Sequence, residues 1–110
     1  MYKTIFGNVV YTEGVKDLAE TNGAYWLIDL IASYQHELGA PEHDFQLWEL
    51  SVSGGSGKVT CRKDTDELPD VEQEVVLTEY PKAYTKLYVE HGAVDDSGKI
   101  YNVLMLPEER

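Results

Sequence analysis

The sequence predicts an α+β domain in which two N-terminal helices pack on a four- to five-stranded antiparallel sheet. Three observations lead there. Apolar residues recur at helical spacing between Val15 and Leu38, they recur at every second residue after Pro41, and turns rich in glycine or aspartate separate the strand-like runs that follow. The 110 residues, 43% hydrophobic and 26% charged, suit one domain spanning 1–110. A chain of this length builds its own core without a disulfide or metal staple.

Thr4 to Tyr11 mixes β-branched and aromatic residues around Gly7-Asn8, which predicts a short hairpin or a bulge. Thr12 reads as an N-cap, Glu13 occupies the first turn where a negative charge is favoured, and Val15, Leu18 and Ala19 continue a short helix to about Glu20. Asn22 is placed to cap a second helix, Ala24 to Leu38, whose wide apolar stripe includes Leu27, Ile28 and Ile31. Gly39 and Pro41 supply its stop signals.

Phe45 to Val52 then alternates as a strand, with Phe45 and Leu47 on one face and Trp48, Leu50 and Val52 on the other. The stretch Ser53 to Gly57 makes a hairpin connection, and Lys58 to Arg62 returns antiparallel with Val59 and Cys61 facing in. After a polar loop, Val71 to Tyr80 forms a third strand with Val71, Val75 and Leu77 inward and Glu72, Glu74 and Thr78 outward. This sets an acidic outward row beside a basic one. Pro81 ends that strand, Tyr84 to Val89 makes another, Asp95-Asp96-Ser97-Gly98 turns the chain, and Lys99 to Leu106 closes the sheet before Pro107.

Nine basic against 20 acidic residues leave a net charge of −11 and a pI near 4.5, which argues against direct binding of nucleic acid or anionic membranes. No apolar run reaches the roughly 18 residues of a spanning helix, and the start lacks the apolar core of a signal peptide. The single cysteine, Cys61, has no mate for an internal disulfide and fits a reducing cytoplasm. The histidines His36, His43 and His91 are too scattered for a metal site, and no catalytic or phosphate-loop pattern is present. Gly54-Gly55-Ser56-Gly57-Lys58 joins two strands and lacks the spacing and following helix of a phosphate loop. The expectation is a cytoplasmic protein that is not an enzyme and takes no cofactor or metal.

Two constellations are candidates for binding. The stretch from Asp64 to Glu79 carries seven acids, Asp64, Asp66, Glu67, Asp70, Glu72, Glu74 and Glu79, and no lysine or arginine. Glu72 and Glu74 project from one strand face about 7 Å apart, a row of negative charge able to stand in for phosphates on the basic surface of a nucleic-acid-binding or defence protein. The bland reading is a solvated face partly neutralised by Lys58, Arg62 and Lys63. The second constellation is Tyr25, Trp26, Asp29, Ser33 and Trp48, which would line a pocket for a planar or polyol ligand if Asp29 were sheltered on its helix. Its bland reading puts Asp29 at the solvent edge and the aromatics in the core.

The run Gly14-Val15-Lys16-Asp17-Leu18-Ala19-Glu20, then Gly23-Ala24-Tyr25-Trp26-Leu27-Ile28-Asp29 through Gln35, with Phe45 to Leu50 and Val103 to Pro107, resembles an uncharacterised family of short proteins from bacteria and their phages. The resemblance brings no catalytic residue. It implies an accessory gene of a phage or mobile element acting in the bacterial host cell. Charge and resemblance together lead to the expectation of a small acidic inhibitor of a host defence complex, CRISPR-type or otherwise nucleic-acid-processing, working through the acidic stretch. The alternatives are a nucleotide-signal binder using the aromatic cluster, and a structural accessory protein with no inhibitory role.

Overall fold

The structure, a computed structural model, describes residues 1–38, 45–63, 68–77 and 80–110. In chain order the elements are β1 (Tyr2–Lys3), β2 (Val9–Tyr11), α1 (Glu13–Asn22), α2 (Tyr25–Leu38), β3 (Phe45–Ser53), β4 (Ser56–Arg62), β5 (Val71–Val76), β6 (Tyr84–Val94) and β7 (Ile100–Met105), followed by a 3-10 turn over Pro107–Glu109. The strands form one sheet in the order β1-β2-β7-β6-β3-β4-β5.

The class is α+β, as expected, but the arrangement corrects the sequence reading three times. The sheet has seven strands rather than four or five, and β1 and β2 precede the helices. It is also mixed, because β2 runs parallel to β7, with Val10 opposite Val103, while every other neighbouring pair is antiparallel. Strands of two and three residues are too short to show a period, and a partner more than ninety positions along the chain leaves no local trace.

Both helices form for the local reasons the sequence carries. The Thr12 hydroxyl accepts the Val15 N–H, so Thr12 caps α1 as expected. Asn22, expected to cap the second helix, instead ends α1 and donates its side-chain amide to the Leu18 carbonyl. The proposed stop signals Gly39 and Pro41 lie outside the described residues. Gly54 and Gly55, both at positive φ, make the two-residue turn between β3 and β4. Strand β6 runs well past Val89 to Val94 because Gly92, at φ 111°, takes up a bulge where the register with β7 shifts between His91 and Ala93.

The helices cover one face of the sheet. Val15, Ala19, Leu27, Ile28 and Ile31 meet Trp48, Leu50, Val59, Cys61, Val71, Leu87, Val89 and Leu104 in one buried cluster. Burial of this apolar surface is the main term holding the two layers together. Among the described residues no helix covers the opposite face. At one end it carries the small cluster Val10, Val103 and Met105, with Tyr88 and Tyr101 against it, and near it Arg110 lies over the Phe45 ring, 4.1 Å from its centroid. Its other end is charged.

Candidate functional site

The charged end is built by strict alternation. Val59 and Cys61 turn under the helices, which leaves Lys58, Thr60 and Arg62 on the open face of β4. In the same way Val71 turns in and leaves Glu72 and Glu74 out on β5. The register sets Lys58 opposite Glu74 and Thr60 opposite Glu72. Lys58 Nζ nevertheless reaches diagonally to Glu72 Oε1 at 3.4 Å, with both side chains more than half exposed. One strand further in, Arg62 Nε lies 3.4 Å from Glu49 Oε1, and Glu49 also accepts the Tyr84 hydroxyl. Burial first and the Glu49 carboxylate second push Tyr84 up to about 12, so it stays a neutral donor at ordinary pH.

The open face therefore carries a basic row on β4 between acids on β3 and β5. This is the side-by-side arrangement the sequence pattern implied. Among the expected partner-binding acids, Glu72 and Glu74 share the exposed face of β5 and Asp70 is exposed just before the strand. The structure thus brings these three to one edge of the molecule. Asp64, Asp66, Glu67 and Glu79 lie outside the described residues, as do Thr78 and His43. Among the described residues Glu74 has no cation within ion-pair reach.

The aromatic constellation is dispersed. Tyr25, Asp29 and Ser33 lie exposed on α2, where Tyr25 donates to Glu20 and the Ser33 hydroxyl donates back to the Leu30 carbonyl at 2.7 Å. Trp48 is 1% exposed under the helices. Its ring lies 5.7 Å from that of Tyr34 and its indole N–H is used on Gln46. Trp26 sits half-buried, edge-on to Tyr80 at 6.4 Å. The five residues line no common cavity among the described hollows.

One polar feature went unread in the sequence. Gln35 on α2 and Gln46 on β3, 4% and 2% exposed, join their side-chain amides reciprocally at 2.9 and 3.0 Å. Gln46 Oε1 also accepts the Trp48 indole, and Gln35 accepts from Asn102, which bonds in turn to His91. The chain of bonds ties α2 to three strands and is satisfied throughout, which suits a packing role. Its signal was available: Gln46 lies on the strand face of Trp48 and Leu50, and Gln35 lies four residues beyond Ile31 on the apolar side of α2.

The remaining chemistry is quiet. Burial, with Asp70 adding to it, pushes the Cys61 thiol up to about 12, so it is no ready nucleophile. Among the described residues no three histidine, cysteine or carboxylate side chains converge as a metal site. Among the described residues no helix is long and apolar enough to cross a membrane. The whole chain, residues 1–110, matches one family model, and the protein belongs to that family of unknown function, DUF6876. No curated protein and no solved structure matches it.

Proposed function

We propose that this member of DUF6876 is a non-catalytic interaction protein that binds a basic protein surface through the acidic strand β5, acting as an inhibitor of a host nucleic-acid-processing or defence complex. One observation carries the reading. Glu72 and Glu74 stand exposed together on the last strand of the sheet, in a chain of net charge −11, and among the described residues only Lys58 offsets them. An exposed pair such as Lys58 with Glu72 is worth at most about 1 kcal/mol, so a partner's cation displaces it at little expense. The long-range field of the protein steers basic surfaces toward it.

The test uses parent and Glu72→Lys/Glu74→Lys proteins as paired baits in a bacterial lysate. The reading expects a basic, nucleic-acid-binding protein held by the parent, released by salt or by competing double-stranded DNA, and absent from the variant. Equal retention of the same proteins by both baits would remove the acidic strand as the binding element.

A further inference from the structure

Besides its acids, β5 offers a backbone edge. The sheet ends there, and among the described residues nothing pairs with its outer side. Leu77 N–H donates to the Gly55 carbonyl at 2.9 Å, continuing the register in which Ser56 faces Val76. Hydrogen-bonded pairs alternate along an antiparallel ladder, so Val75, Gln73 and Val71 also turn their backbone groups toward β4. Glu72, Glu74 and Val76 turn theirs outward. The residues whose side chains are acidic or exposed, with Val76 85% exposed, are thus the residues whose N–H and C=O groups face away from the sheet.

From this coincidence we infer that the protein captures its partner by strand addition: an extended segment with alternating basic and apolar residues pairs antiparallel with β5. The inference rests on the reading of β5 as the binding element and specifies how it binds. A residue directly opposite Glu72 or Glu74 in a hydrogen-bonded pair places its side chain on the same open face, beside the carboxylate, where lysine or arginine is complementary. The intervening side chains fall on the helix side, next to Val71 and Val75, where an apolar residue fits. A second copy of the chain is a poor occupant. Two-fold pairing of β5 centred on Gln73 sets Glu72 against Glu74 of the other copy, and pairing centred on Glu74 sets that carboxylate against its own counterpart.

A fluorescent lysine-valine alternating peptide tests this against the full-length protein, with the peptide methylated on either its lysine amides or its valine amides. Antiparallel addition puts the lysine amides against β5, so methylating them should weaken binding at least about tenfold, the worth of one lost hydrogen bond. Methylating the valine amides should change it little. Val76→Pro, which keeps every acid but deletes an outward N–H, should weaken the unmethylated peptide similarly. If that variant does not fold, the peptide pair decides alone. Equal behaviour of the two methylated peptides overturns strand addition. Unchanged, salt-insensitive binding by Glu72→Gln/Glu74→Gln instead overturns the acidic reading, so the two failures are distinguishable.

Discussion

On the helix-covered face Trp48, Leu50, Val59 and Leu87 are at most 2% exposed, while Glu49, Ser51, Lys58 and Lys86, which alternate with them on the same strands, look to the open side. The covered side even buries amides, but only in a chain where Gln35, Gln46 and Asn102 satisfy one another. At its β4–β5 end the open side leaves charges in water, with Lys58 and Glu72 paired while more than half exposed and Glu74 without a cation in reach among the described residues. Groups in the first region determine whether the chain folds, because their loss leaves a cavity or an orphaned polar atom. Groups in the second can change sign with little effect on folding, which leaves that side available for recognition.

The widest gap between the regions should come from Trp48→Ala, expected to lose about 3–5 kcal/mol and much of the cooperative transition in urea. A well-folded variant with only a small loss would mean that the covered face is not the stabilising one. Gln35→Leu should cost about 1–3 kcal/mol by leaving Gln46 and Asn102 short of partners. A neutral result would show that the amide chain is dispensable. On the open face, Glu72→Gln/Glu74→Gln should move stability by no more than about 0.5 kcal/mol. Without repelling carboxylates its β5 edge should also self-associate at high concentration, visible by sedimentation as a larger average mass than the parent's under the same conditions.

The smallest effect is expected at the β6–β7 turn. Bonds from the Ser97 hydroxyl, the Lys99 and Ser97 backbone amides and the Tyr101 hydroxyl hold Asp95 down to about 2. A carboxyl depressed by folding adds stability above its ordinary pKa and loses it as pH falls toward the folded value. Urea midpoints of parent and Asp95→Asn should therefore converge between about pH 4 and 2. Curves that stay parallel across that window would contradict the bonding.

Much of this molecule was legible along the chain wherever one element carries its own period. The Thr12 cap, the α2 stripe, the in-out alternation of Trp48 and Leu50 against Glu49, and the outward row of Glu72 and Glu74 are all local signals. The place of β5 at the end of the sheet was not legible, nor was the parallel pairing of β2 with β7, because strand order is set by contacts between distant segments. The spread of the aromatic constellation was not legible for a related reason, although Asp29 at the solvent edge and Trp48 in the core follow its bland reading. Tyr25 and Trp26 are neighbours in sequence, yet successive helical positions point about 100° apart, which leaves Tyr25 exposed and turns Trp26 toward the core. Gln35 and Gln46 were passed over because each reads as a routine polar residue until the other is set beside it.

Amide hydrogen exchange along β5, with and without the lysine-valine peptide, tests the central claim most directly. In the free protein Val71, Gln73 and Val75 should be protected by β4, while Glu72, Glu74 and Val76 exchange fast. Saturating peptide should slow the second set and leave the first as it was. Protection of Glu72, Glu74 and Val76 already present in the free protein, or fast exchange persisting at saturation, would contradict an open acidic edge that recognises its partner by adding a strand.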